Sequence, residues 1–362
     1  RRSGLAGKTG PMTTWYSNPG ARHWVSGMTA PQVGAFHQSL PGYAPTPLVD
    51  LPSLAAELGV GRVLVKDESA RLGLPAFKVL GASWACSRVL QSGPAVLVTA
   101  TDGNHGRAVA RMAAYLKTTA TVFVPAVMLP ETAAHITGEG ATVIWVDGDY
   151  DDAVRAAAEH AGAEPGRALV QDTAWPGYEV VPGWIVEGYD TMLAEVDEQL
   201  GRTPDLVAVP VGVGSLAQAV VAHYRRADPG RGGVDLDARR GPARVLAVEP
   251  DTAACVITSL ATGRPSTVPT GATVMAGLNC GTISSLAWPV LATGCDAAVV
   301  VSDEAALDAS ADLVALGVSS GPCGAAPLAG VRAALHHPDR RADLELPDDA
   351  VVVLLSTEGL PA

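Results

Sequence analysis

Leu206-Val207-Ala208-Val209-Pro210-Val211-Gly212-Val213-Gly214-Ser215-Leu216-Ala217 runs from an apolar segment through two glycines into a helix start. An apolar run without polar alternation suits a strand buried on both faces, the habit of parallel sheets. The glycines let backbone approach an anion, and the following helix points its N–H groups and positive dipole end at the same place. Two ligands compete for that cup. The phosphate of a small cofactor fits it, and so does a dinucleotide, because G-x-G-x-x-A after a strand matches the dinucleotide fingerprint. Glu249 imitates the ribose-binding acid of that fingerprint but lies well beyond the usual ~20 residues.

Working outward, the same alternation fills the chain. Strand-like runs fall at 63–66, 95–100, 121–124, 142–146, 168–170, 206–211, 245–248, 297–301 and 351–355. Helical patterns fall at 77–90, 105–116, around Thr132, 150–161, 186–200 and 215–226. This pattern predicts an α/β fold of two domains, each an open, mostly parallel sheet flanked by helices. In such sheets ligands sit beyond the carboxyl ends of the strands. Residues 12–47 read as irregular and 228–242 as an exposed loop.

The chain has 362 residues, 48% of them apolar, enough for two cores. Its net charge of −12 excludes nucleic acid and an anionic membrane as expected partners. Cys86, Cys255, Cys280, Cys295 and Cys323 are scattered, without C-x-x-C or zinc-like spacing, so no metal is expected and reduced thiols in the cytoplasm are. No run approaches the ~20 apolar residues of a membrane-spanning helix. Residues 1–11 read as an added leader before a native start at Met12.

Two further segments carry chemistry. Lys78 opens a helix in Leu74-Pro75-Ala76-Phe77-Lys78-Val79-Leu80-Gly81-Ala82, and Thr101-Asp102-Gly103-Asn104-His105-Gly106 opens the next one. A lysine there is ordinarily solvated, but paired with a carboxylate-type loop it points to an aldehyde cofactor held on its amine. The cofactor expected is pyridoxal 5'-phosphate, with its phosphate in the cup of Gly212, Val213, Gly214, Ser215 and Leu216. A nicotinamide site would leave Lys78 and the loop without a use. The backbone of Thr101, Asp102, Gly103 and His105 would receive a substrate carboxylate. Ser356, ending the last strand in Leu355-Ser356-Thr357-Glu358-Gly359, would hydrogen-bond the pyridine nitrogen, unless it merely closes a turn. A hydroxyl leaves that nitrogen largely neutral, which suits β-elimination better than transamination.

Together these segments resemble the fold-type II pyridoxal phosphate enzymes, the tryptophan synthase β-subunit family, and within it the diaminopropionate ammonia-lyase branch. The likeness also rests on Lys66-Asp67-Glu68-Ser69, Gln171-Asp172-Thr173-Ala174-Trp175, Glu249-Pro250 and Met275-Ala276-Gly277-Leu278-Asn279-Cys280-Gly281, and runs from about Trp15 to the end. It implies a large cofactor-binding domain of residues 12–80 and 191–362, a small domain of 81–190, a site between them, and a homodimer. It also implies α,β-elimination of 2,3-diaminopropionate to pyruvate and two ammonia. Serine/threonine dehydratases and β-replacement synthases are the alternatives. Lys78 would act on the Cα proton of an L-substrate, with its pKa lowered for the task. Asn104 would bind the cofactor's phenolic oxygen, Asp102 would serve the D-isomer, and Asp172 would attract the β-ammonium. The rival readings of Asp102 and Asp172 are a helix-cap turn and a strand-end cap. His105 reads as a helix-start residue, and Glu249 and Cys280 as structural. One departure stands out: Ser320-Gly321-Pro322-Cys323-Gly324-Ala325 replaces the branch's Ser-Gly-Glu-Ser-Gly-Ala. The segment between Lys78 and Asp102 is also shorter than usual.

Overall fold

The computed structural model describes residues 13–28, 32–93, 95–227 and 241–360. Residues 1–11 and most of the expected loop at 228–242 lie outside them. Eleven strands are present among the described residues: β1 (Trp15–Ser17), β2 (Leu48–Asp50), β3 (Arg62–Asp67), β4 (Val96–Ala100), β5 (Ala120–Pro125), β6 (Thr142–Val146), β7 (Arg167–Leu169), β8 (Leu206–Pro210), β9 (Arg244–Pro250), β10 (Ala297–Val301) and β11 (Val351–Ser356). They form a seven-stranded sheet ordered β1-β10-β9-β8-β11-β3-β2 and a four-stranded sheet ordered β6-β5-β4-β7. Every pairing is parallel except the edges, β1 on β10 and β2 on β3.

The expected fold class is what the structure has. β8, β9 and β11 are buried along their whole length, as their unbroken Val, Leu and Ala runs require. Register then aligns the ends that matter. Leu355 pairs with Lys66 and Ser356 with Asp67, so β11 and β3 finish together. Residues 12–47 are not wholly irregular: besides β1, they hold a 3-10 turn at Pro19–His23 and a helix at Val33–Gln38.

The helices Lys78–Leu90 and Val180–Leu200 pack against each other and set the position of Lys78. A Cβ added at Gly188 would lie 2.5 Å from the Leu80 carbonyl oxygen, so glycine permits the close crossing. Leu80, Ile185, Tyr189 and Met192 are fully buried along this seam; each large apolar side chain buried contributes ~1.5–3 kcal/mol. A buried ionic cluster braces the same region from β3. Lys66 Nζ donates to Glu195 Oε2 at 2.6 Å, and Arg71 donates to both Glu68 and Glu195 at 2.6–2.7 Å. Removing one partner would strand a charge away from water, which makes the cluster a rigid brace.

Candidate active site

Lys78 is the first residue of its helix, with Phe77 at the N-cap. Its Nζ donates to Asp172 Oδ2 at 2.6 Å. Asp172 sits just past β7, held by its neighbours. Its carbonyl oxygen accepts from Ser215 Oγ at 2.9 Å, and Gln171 Oε1 accepts from the Ala100 N–H at 2.9 Å. The ends of β4, β7 and β8 therefore meet at the segment that holds the lysine's partner, and just past β11 the Thr357 carbonyl accepts from the Phe77 N–H at 3.1 Å.

The electrostatics follow from this geometry. Burial alone lowers the Lys78 pKa, but Asp172, with smaller help from Tyr189 and Asp102, outweighs it and holds the amine charged. With no cofactor or substrate beside it, the amine is thus held charged by the carboxylate it contacts directly. Burial pushes the Asp172 carboxyl up, yet Lys78 overrides it and brings the pKa down to about 2. Asp102 has an exposed side chain although protein is packed closely around it. Desolvation raises it to about 6 against the pull of Lys78, with Asp172 adding a like charge.

The loop before the helix Asn104–Tyr115 is shaped by Thr101, whose Oγ1 accepts from the N–H groups of Gly103 and Gly106 at 2.9 and 3.0 Å. Gly103, expected to donate to a substrate carboxylate, is therefore already engaged. The N–H groups of Asn104 and His105, in the first helical turn, have no acceptor within the helix. His105 is buried, with Nε2 donating to the Val170 carbonyl at 2.8 Å. Its Nδ1 has no hydrogen-bond partner and lies 3.9 Å from Asp172 Oδ2. His105 does stand in the first turn of its helix, and nothing local in the sequence foretold the unpartnered nitrogen.

Gly212, Val213 and Gly214 follow β8, and Ser215 and Leu216 start the helix Ser215–Tyr224. Gly214 has φ +96°, where a side chain would be strained. A Cβ on Gly212 would approach Cys280 Sγ to 3.0 Å. The turn is thus a cradle that glycine keeps open, lined by first-turn N–H groups, and a phosphate fits it. Ser356, at the end of β11, donates from Oγ to Ser320 Oγ at 2.8 Å and is fully buried. Glu249 is spent elsewhere. Its carboxylate accepts from the N–H groups of Val256 and Ile257, both at 2.7 Å, capping the helix Cys255–Thr262. That removes the acid a dinucleotide would need and leaves the small-cofactor reading.

Several neighbours went unassigned in the sequence. Tyr150, read only as a helix start, accepts a hydrogen bond from Gln171 Nε2 at 2.8 Å. The Tyr189 hydroxyl is buried without a partner beside Lys78. Glu358 accepts from Asn104 Nδ2 at 2.8 Å.

A lysine at a helix start, a glycine cradle past β8 and a hydroxyl at the end of β11 are groups that suit pyridoxal phosphate. The chain belongs to the pyridoxal-phosphate dependent enzyme family, whose model matches residues 39–358. It is 36% identical to the diaminopropionate ammonia-lyase of Salmonella typhimurium, over 95% of this chain and 92% of that one. Among solved structures it is similar to the Escherichia coli diaminopropionate ammonia lyase in complex with D-serine, at TM-score 0.83 and 33% identity, covering 95% and 93% of the two chains. The same enzyme with an aminoacrylate-PLP azomethine reaction intermediate matches at TM-score 0.81 and 35% identity, with the same coverage.

Proposed function

We propose that this chain catalyses the α,β-elimination of 2,3-diaminopropionate, which with hydrolysis of the released enamine by one water gives pyruvate and two ammonia. The observation that carries the reading is the Lys78–Asp172 contact of 2.6 Å with Asp102 close enough to feel both charges. One amine and two carboxylates at converging strand ends suit a substrate with an additional cation. A serine or threonine substrate offers no cation in that place. Relatives that carry the name diaminopropionate ammonia-lyase support the same substrate.

When bound, pyridoxal phosphate supplies an electron sink for loss of the Cα proton and of the β-substituent. The rest is the work of this chain's residues. Lys78 holds the cofactor through Nζ and moves the Cα proton of the L-isomer; Asp102 does so for the D-isomer. Asp172 receives the β-ammonium. Gly212, Val213, Gly214, Ser215 and Leu216 bind the phosphate, Asn104 meets the phenolic oxygen, and Ser356 meets the pyridine nitrogen once its hydroxyl proton turns away from Ser320. Free N–H groups of Asn104 and His105 bind the substrate carboxylate.

The two sheets support the division into a domain of 12–80 with 191–362 and a domain of 81–190, with the reaction between them. Five free cysteines fit a reducing cytoplasm, and the family likeness supports a homodimer. Among the described residues no helix is long and apolar enough to cross a membrane. Assaying both diaminopropionate isomers and serine for pyruvate and ammonia tests the reading. Two ammonia per pyruvate, from diaminopropionate in preference to serine, is the expected result; comparable efficiency on serine would make the chain a dehydratase.

A further inference from the structure

We propose that Glu358 is a positioning residue that aims the Asn104 carboxamide at the cofactor, a role that rests on the pyridoxal phosphate reading above. Asn104 Nδ2 donates to Glu358 Oε2 at 2.8 Å. A carboxylate can only accept, so this contact decides which way the amide faces. The nitrogen turns toward Glu358, and its second N–H is left for the phenolic oxygen. Without the carboxylate, the amide is free to turn its oxygen toward that oxygen, which repels it.

Glu358 is itself tied to the segment that delivers Lys78. It forms an antiparallel bridge with Ala76. The Phe77 N–H donates to the Thr357 oxygen at 3.1 Å, and the Gly359 N–H to the Pro75 oxygen at 2.9 Å. On its other side the Gly321 N–H donates to the Glu358 carbonyl at 3.1 Å, and a Cβ at Gly321 would lie only 3.2 Å from Oε1. Glycine at 321 thus leaves the carboxylate its place. One residue links the lysine's approach, the start of the helix Pro322–Leu335 and the asparagine on the four-stranded side. Burial pushes the Glu358 carboxyl up, while the Cys323 thiol and N–H, the Asn104 amide and Lys78 pull it back. Among the described residues it makes no salt bridge, so dipoles from the site itself hold the charge. A partly buried carboxylate kept by an amide and a thiol adds little to stability compared with an apolar side chain. Orienting Asn104 gives it a use.

The test titrates pyridoxal phosphate into cofactor-stripped protein without substrate, reading the dissociation constant and the visible band of the lysine-bound cofactor. Glu358→Ala and Asn104→Ala should each weaken binding by about 10-fold, and the double variant should lose little more, because both break one contact. Losses that simply add, or a Glu358→Ala protein with wild-type affinity and spectrum, overturn the proposal. Should Glu358→Ala fail to fold, Glu358→Gln decides the matter. Its Oε1 still accepts from Asn104, so affinity should stay within about threefold. The pH midpoint of the visible band should nonetheless move, since a neutral group replaces a carboxylate; an unmoved midpoint overturns the role. A wild-type protein that gains no visible band would instead refute the pyridoxal phosphate reading itself, so the two failures are distinguishable.

Discussion

Lys78 Nζ and Asp172 Oδ2 form a partly buried ion pair at 2.6 Å, joining the start of one helix to the segment just past β7. When the amine is committed to the cofactor, the carboxylate is left facing the space where a substrate enters. A β-ammonium can restore the lost pairing and a hydroxyl cannot. A charge-assisted hydrogen bond contributes about 1.5–3 kcal/mol, so Asp172→Asn should lower kcat/KM on diaminopropionate by roughly 10–150-fold. The loss on serine should be small. Equal losses on both substrates would show that Asp172 serves Lys78 alone.

Lys78 should be the attachment point. Borohydride treatment of the yellow holoprotein is expected to fix the cofactor on the peptide containing Lys78, found by mass spectrometry. Lys78→Ala should give no such peptide and no turnover of any substrate. Label on a different lysine would displace Lys78 from its role.

His37 lies far from the chemistry but gives a stability prediction. It is fully buried, with Nδ1 accepting from Thr191 Oγ1 at 2.7 Å and Nε2 donating to the Leu80 carbonyl at 3.0 Å. Burial lowers its pKa to about 4, so the folded protein holds it neutral where the unfolded chain binds a proton. Its contribution is fully present above the unfolded pKa of about 6.5 and is lost as pH falls toward about 4. Between pH 7.5 and 5 the loss should be roughly 2 kcal/mol. Denaturant unfolding of wild type and His37→Gln at both pH values checks it. The variant should lose less stability on acidification, even if it starts lower.

Much of this was written in the sequence because parallel strands buried on both faces must be continuously apolar. Val207 to Val209 and Val351 to Leu355 could be read as strands for that reason. The edge strands β1 and β2 escaped notice. Three residues such as Trp15-Tyr16-Ser17 carry no pattern, and only pairing with β10 makes them a strand. The long helix begins at Val180, ahead of the expected 186, because Pro182 falls in the first turn, where its missing N–H costs nothing. Lys78, Asn104 and the glycine cup announced themselves through local motifs. Glu358 was visible as a letter but not as a partner, since Asn104 is 254 residues away in the chain. Tyr150 and the orphaned His105 nitrogen likewise acquire meaning only from what folds against them.

Asp102 gives the prediction that bears most directly on stereochemistry. Lys78 and Asp102 are distinct groups at the same site, and the two substrate isomers present their Cα protons to opposite faces. Enantiomers share the same ionisation constants, so the ratio of kcat/KM for the D- and L-isomers cancels substrate protonation and reports the enzyme. Asp102 must be ionised to accept a proton, and desolvation pushes its pKa up to about 6. The D-to-L ratio should therefore be level above that pH and fall about tenfold per unit below it. Asp102→Asn keeps the size and removes the base, so the ratio should drop by about 10²–10⁴-fold and lose this acid limb. Equal losses on both isomers in the variant, or a wild-type ratio that is flat in pH, would make Asp102 an organiser of the carboxylate loop rather than a base.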